Sequence, residues 1–346
     1  MSRGISVEHY QGDGSDWDAF VACHPAASSY HQFFWRGVVE KSFGHKGCYL
    51  LARDGGGEPV GVLPLIHMKS RLFGNFLVSL PFFNYGGVLS HDPAAAEALL
   101  AEAGRVLKSC GASHVELRHL GKGLDGLPTK GHKVTMILDL APDTETQWKA
   151  FNAKLRNQVR KAEKSGLEVV TGGKELLDGF YTVFCRNMRD LGTPVYGINF
   201  FANVLDASCE NARIISVRHE GRTIASAVYT RFRDSVEVPW ASSNRDYRDF
   251  CPNNMLYWEA ISLAIREGAR QFDFGRSTKD EGTYNFKKQW GAQPVQLHWQ
   301  YLLKDGEALP ELNPSNPKFR LAVKGWQMLP VPLTRLLGPK IVKNIP

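Results

Sequence analysis

The stretch GARQFDFGRSTKDEGTYNFKKQWG, residues 268–291, reads as a helix stop, a strand, a glycine break and a basic loop that leads into a short helix. Its first ten residues lie without a gap over GASHVELRHL, residues 111–120. In that overlay Glu116 falls on Asp273 and Leu117 on Phe274. Both stretches follow a helical pattern that opens near a proline, Pro93 or Pro252. One overlap decides little. It decides the fold if the elements around both stretches recur in the same order, because self-similarity at a fixed spacing marks a repeated unit.

The order does recur. In the second half, 167–171 reads as a strand and 174–190 as a helix with Leu176, Leu177, Phe180, Val183 and Phe184 on one face. A short helix over 199–208 follows, then strands at 212–219, 222–232 and 235–242, with Glu220-Gly221 and Arg233-Asp234 as tight turns. A helix from Asn253 to Glu267 stops at Gly268, and a strand at 270–275, a helix at 283–290 and a strand at 294–303 close the set. The first half offers a strand at 5–10, helices at 15–23 and 31–42, and strands at 47–53, 59–67 and 76–80 or 85–89. A helix over 93–110 and strands at 113–119 and 132–140 complete it. The reading is an α+β chain duplicated in tandem: residues 1–140, residues 141–305, and a basic tail, 306–346.

Bulk properties narrow the function. A chain of 346 residues, 43% hydrophobic and 22% charged, is globular. Its six cysteines include no C-x-x-C pair, and a chain of this size needs no disulfide staples, so reduced thiols in a cytoplasm are expected. No secretory h-region and no long apolar run is visible. The net charge of +7 is concentrated: from Pro314 onward lie Lys318, Arg320, Lys324, Arg335, Lys340 and Lys343 and no acid, which leaves +1 for the rest. A near-neutral body argues against a general DNA- or RNA-binding surface and weighs slightly against tRNA as well. The eleven histidines show no metal-ligand spacing, and no metal is expected.

Three motifs carry a family resemblance: KLRNQVRKAEKSGLEV (154–169), FDFGRST (272–278) and GTYNFKKQWG (282–291). They resemble the FemAB-like proteins, whose halves have the GNAT acyltransferase fold. Within that group the chain looks most like the members associated with exosortase/PEP-CTERM and exopolysaccharide loci, and like the CelD-type acetyltransferase domain. The resemblance covers roughly residues 1–305. It implies tandem GNAT-like domains, each a mixed, mostly antiparallel sheet flanked by helices. It also implies transfer of an acyl or aminoacyl group to an amine of a cell-envelope or exopolysaccharide precursor, at the cytoplasmic face of the membrane. The donor would be acyl-CoA or aminoacyl-tRNA, with no tightly bound cofactor. A non-catalytic tandem scaffold for polysaccharide enzymes is the alternative.

The candidate site residues follow. Asp273-Phe274-Gly275 would suggest a kinase only with a Gly-rich loop, a strand lysine and H-R-D before it, and none is present. Alternation places Phe272 and Phe274 on one face and Asp273 on the other, near a strand end where ligands bind. The resemblance points to Phe286 and Lys287 as the pair of the acyl-transfer step, and a fixed cation in a dry site suits a tetrahedral oxyanion. Lys288 could equally be the active member. Asp273 would orient or deprotonate the amine, Arg276 would hold anionic groups, and Tyr284 would line the site. On the helix expected over 145–165, Arg156, Arg160 and Lys164 fall on one line, where like charges gain from an anionic partner. The loop 242–254 occupies the place where GNAT proteins hold the acyl-CoA pyrophosphate, and Arg245, Arg248 and Asn253 are its candidates. The usual Gln/Arg-x-x-Gly-x-Gly/Ala pattern is absent there. The Gly-x-Gly-x-x-Gly match at 121–126 precedes Leu-Pro-Thr instead of a helix and reads as a loop. The tail, with Phe319, Leu321, Trp326, Met328, Leu333, Leu336 and only basic charges, either contacts an anionic membrane or packs on the protein.

Overall fold

The computed structural model describes residues 4–71, 73–310 and 317–346, with side chains from residue 320 onward in the last span. The chain divides into two compact units. The first comprises residues 1–133, 296–311 and 343–346, and the second residues 134–295 and 312–342. The boundary expected near residue 141 therefore falls at 133/134, and part of the last strand belongs with the first unit. The reason is strand pairing, which linear order does not encode.

The first half contains β1 (Ser6–His9), α1 (Ser15–Cys23), α2 (Phe34–Phe43), β2 (Lys46–Arg53), β3 (Pro59–Ser70), β4 (Gly74–Ser79), β5 (Leu89–Ser90), α3 (Pro93–Ser109), β6 (His114–Leu120) and β7 (Thr129–Lys130). The second half contains β8 (Lys133–Asp139), α4 (Thr144–Ala150), α5 (Ala153–Lys164), β9 (Glu168–Gly172), α6 (Leu177–Leu191), α7 (Ile198–Ala207), β10 (Ala212–His219), β11 (Arg222–Phe232), β12 (Ser235–Ser243), α8 (Pro252–Arg266), β13 (Gln271–Thr278), α9 (Gly282–Lys288), β14 (Gln293–Leu303), α10 (Pro317–Met328) and α11 (Val331–Val342).

In the first unit the strands run β1-β2-β3-β4-β6-β14, with β5 on β3 and β7 on β14. Pairing is antiparallel except between β4 and β6. The α3 helix starts where Asp92 accepts the Ala95 N–H at 2.8 Å and Pro93 fixes the first turn. It lays Ala95, Leu99, Ala103 and Val106 on Leu50, Leu63, Leu65 and Leu77. The second unit repeats the plan as β8-β13-β12-β11-β10-β9, with β12 and β13 its parallel pair. The turn between β10 and β11 takes Glu220 at φ 50° and Gly221 at φ 72°, the left-handed values a two-residue hairpin requires. Here α8 is the counterpart of α3. It opens at Pro252, buries Leu256, Ala260, Ile261 and Ala264, and stops at Gly268, φ 78°.

Two further expectations change. The helix expected over 145–165 is broken: Phe151 is extended and 4% exposed, and Asn152 accepts the Leu155 N–H to start α5 anew. The break lets Phe151 turn its ring edge to Trp290, 5.2 Å away. The strand expected to end at Gly275 continues to Thr278. The tail packs on its own unit. Arg189 of α6 donates to the Leu329 carbonyl at 3.1 Å, and Gln327 donates to the Asp190 carbonyl at 3.1 Å. Arg335 lies 4.9 Å over the Tyr181 ring. The side chains of Lys318 and Phe319 lie outside the described residues. Among the described residues no helix is long and apolar enough to cross a membrane.

Candidate active site

The site grows from the place where a parallel pair comes apart. β12 and β13 pair only over Ser235–Glu237 and Gln271–Asp273, although β12 runs on to Ser243 and β13 to Thr278. A split between strand ends is where open α/β sheets admit ligands. The first unit splits at the equivalent point: β4 and β6 pair at Leu77↔Val115 and Val78↔Glu116 and no further. Glu116 is the residue that the sequence overlay places on Asp273. The duplication is thus visible to the single residue.

Asp273 is 2% exposed and its Oδ1 accepts two hydrogen bonds, from Thr135 Oγ1 at 2.5 Å and from the Gly275 N–H at 2.7 Å. Gly275 takes φ 76°, a conformation that an L side chain opposes. That twist folds its N–H back to Asp273. The Lys287 ammonium donates to the carbonyls of Gly275 and Arg276, at 2.8 and 2.9 Å. Lys287 is 7% exposed, and burial pulls its pKa from 10.5 down to about 8. The negative charges of Asp273 and Glu237 oppose that fall, and Arg276 adds to it. The result is a nearly dry cation whose proton is exchangeable close to neutrality.

The α9 helix sets which lysine points inward. Tyr284 and Lys287, three residues apart, are both buried, whereas Lys288 is exposed. Phe286 lies partly buried beside Tyr257, 5.2 Å between ring centres, in the aromatic layer of Phe274 and Trp290. Lys288 helps line a cleft of about 490 Å³ together with Asp139, Phe151, Asn152 and Trp290. Asp273, Arg276, Tyr284, Phe286, Lys287 and Lys288 therefore meet at the β13–α9 corner.

The other candidates lie on different elements. Arg160 on α5 is exposed and its guanidinium lies 5.6 Å over the Trp148 ring. Arg156 is partly buried, and its Nε has no hydrogen-bond partner among the described residues. Arg245 and Arg248 are exposed in a 3-10 turn before α8, with Arg248 beside Asp249 at 3.9 Å. Asn253 follows Pro252 in the first turn of α8. There Pro252 has no N–H, and the Asn254 and Met255 N–H groups already bond to the Cys251 carbonyl at 3.1 and 3.4 Å. Two of the first donors of α8 are thus spent within the helix, which leaves the Asn253 N–H as the one that could face a pyrophosphate.

Sequence reasoning missed Thr135 and Glu237. Glu237 is 6% exposed and pairs in register with Asp273, so the two carboxylates share one face of the sheet. A signal existed: V-E-V at 236–238 and F-D-F at 272–274 each place one acid inside an apolar strand. Nothing in the sequence around Thr135 marks it.

Comparison with known proteins bears on the fold that carries this corner. Residues 149–288 match the family model described as an acetyltransferase (GNAT) domain. The chain is 21% identical to lipid II:glycine glycyltransferase of Staphylococcus haemolyticus (strain JCSC1435), over 79% of this chain and 87% of that protein. Among solved structures, FemX superposes with a TM-score of 0.69 at 18% identity, covering 85% of this chain and 97% of its own. A tandem GNAT protein from the clavulanic acid biosynthesis pathway gives 0.55 at 12% identity, covering 89% and 100%. The fold of the chain is accordingly a tandem GNAT-like one, and the segment that matches the GNAT model lies in the second half.

Proposed function

We propose that the protein is an N-acyltransferase that moves an acyl or aminoacyl group onto an amine of a cell-envelope precursor. The observation that carries this reading is the buried Lys287 ammonium at the β12/β13 split, held by two carbonyls and flanked by Asp273 and Glu237. Attack of an amine on the donor's ester or thioester carbon builds a tetrahedral oxyanion. A cation fixed in a dry site stabilises that charge without reorganising. Collapse breaks the ester or thioester bond, and the proton that the amine gives up passes to the departing oxygen or sulfur, which leaves as hydroxyl or thiol. Asp273 holds the Gly275 turn and orients the lysine, while Phe286 walls the site. Arg276, Lys288, Arg156 and Arg160 hold anionic groups of the substrates.

With a single N–H, that of Asn253, left over at the start of α8 and no glycine in the loop before it, aminoacyl-tRNA is favoured over acyl-CoA as donor. The similarity to a lipid II glycyltransferase supports a cell-wall precursor as acceptor. An exopolysaccharide precursor, reached from the inner face of the cell membrane, is the finer reading that the motif resemblance adds. The same α8 geometry would also suit a scaffold that binds no donor.

The test offers the protein aminoacyl-tRNAs and acyl-CoAs, with a nucleotide-linked peptide, a lipid-linked peptide and an amino-sugar precursor as acceptors. Mass spectrometry reads the product. The expected result is an acyl mass gain on one acceptor, which falls by about 10²–10³ in rate in Lys287→Met. Transfer from no donor, or a fully active Lys287→Met protein, overturns the reading.

A further inference from the structure

We infer that α10 and α11 together form a docking face for an anionic lipid bilayer. Their inner faces are occupied. Thr334, Gly338 and Val342 are buried, and a Cβ on Gly338 would lie 2.8 Å from the Val195 backbone nitrogen. A Cβ on Gly192 would meet Val323 at 2.4 Å. These contacts fix both helices on the second unit and decide which residues turn outward.

The outward faces carry Leu321, Lys324 and Met328 on α10, and Leu333, Leu336 and Lys340 on α11, each set at helical spacing. Leu321, Met328, Leu333 and Leu336 are 69%, 84%, 38% and 63% exposed. Among the described residues, the other large apolar side chains so exposed are Phe73 and Leu191. Leu191 ends α6, next to Gly192, which lies against Val323 of α10. Residues 320–342 hold Arg320, Lys324, Arg335 and Lys340 and no acid. Charge complementarity therefore selects an anionic partner, and the aliphatic chains select among anionic partners. A single-stranded nucleic acid uses cations and aromatic stacking faces. Isolated leucines and a methionine beside lysines suit the boundary between headgroups and acyl chains. Helices this short would lie in the surface, held by contacts that Pro330 and Pro339 do not interrupt.

The inference is independent of the transferase reading, and its test measures no transfer. The full chain is co-sedimented with vesicles of phosphatidylcholine alone and of phosphatidylcholine with phosphatidylglycerol. It is expected to pellet only with the second. Leu321→Asp with Leu336→Asp is expected to abolish pelleting at low salt. Arg320→Gln with Lys324→Gln is expected to weaken partitioning about 25-fold, about fivefold for each basic residue near the surface. All four positions are exposed, so an unchanged unfolding midpoint verifies folding. The inference is overturned if the aspartate variant pellets like the parent or if neutral vesicles bind equally well. It is also overturned if vesicles fail to bind while an RNA oligonucleotide binds with the same Arg320 and Lys324 dependence.

Discussion

Lys287→Met tests the site where the physics is sharpest. The Lys287 ammonium is 7% exposed and its pKa falls from 10.5 to about 8, chiefly through burial. The unfolded chain keeps the proton up to the ordinary value. Below pH 8 both states are charged, and the fold carries the whole cost of burying the charge. Between about 8 and 10.5 the unfolded chain holds a proton that the native protein has lost, so stability rises with pH. Above that range neither state is charged and the cost is gone. At about 1.4 kcal/mol for each tenfold step in proton affinity, the gap is worth about 3 kcal/mol.

Methionine keeps the length of the side chain and removes both the charge and the donor. At pH 7 two opposing effects meet. The carbonyls of Gly275 and Arg276 lose their donor, at about 1–3 kcal/mol for each buried group, and the buried charge disappears. The informative quantity is the trend. The stability of wild type relative to Lys287→Met rises by about 3 kcal/mol between pH 7 and pH 10.5. Subtraction cancels the other lysines, tyrosines and cysteines that titrate in the same range. Urea unfolding followed by tryptophan fluorescence, comparing the same transition in both proteins, reads it directly; Trp290 is 1% exposed beside Phe286. Parallel curves would refute the reasoning, because they would mean that Lys287 keeps its ordinary affinity and is not a dry cation.

Three further outcomes follow from the same corner. Thr135→Val removes the hydroxyl that donates to Asp273 at 2.5 Å and is expected to lower stability by about 2 kcal/mol, a value for a buried bond to a charged group, measured by urea midpoint. Lys288→Ala is expected to raise KM while leaving kcat within about twofold, since Lys288 lines the cleft but does not reach the β13 carbonyls; an equal fall in kcat would make it the active lysine. If the ammonium form of Lys287 does the work, the rate falls as pH rises through about 8, and a pH profile without that descending limb opposes the assignment.

The repeat was legible because periodicity is local. Apolar spacing along α3 and α8, with Pro93 and Pro252 at their starts and glycines at their ends, marks both copies without any knowledge of contacts. The exchange of strands was not legible. Nothing in residues 134–140 says that they lie with the second unit; the tie shows only in the fold, where β8 lies beside β13, Thr135 donates to Asp273 and the Leu140 N–H bonds to the Arg270 carbonyl at 2.8 Å. The break at Phe151 was hidden by an apolar stripe that continues through it, although Asn152 three residues before Leu155 is a capping signal. The choice between Lys287 and Lys288 stayed open because it depends on how α9 is rotated. Tyr284, three residues earlier and 5% exposed, records that rotation.

The two splits show how a duplicated frame divides its labour. In the first unit Glu116 binds the Arg118 guanidinium at 2.7 Å and accepts from the Tyr301 hydroxyl at 2.9 Å. Arg118 is 1% exposed, donates to the Phe83 carbonyl at 2.7 Å and lies 4.4 Å over the Trp299 ring. That cation comes from the strand itself, two residues past the shared acid, and a guanidinium keeps its proton at every pH a protein survives. In the second unit Gly275 stands two residues past the acid, and the cation comes from α9 instead. An ammonium near pH 8 can hold or release its proton, and a helix-borne side chain leaves the strand ends open. Replacing arginine in the strand by glycine, with a lysine delivered from outside, thus converts a sealed structural split into one that can serve chemistry. Under the proposed function, acyl transfer would therefore belong to the second unit, while the first keeps a locked ion pair.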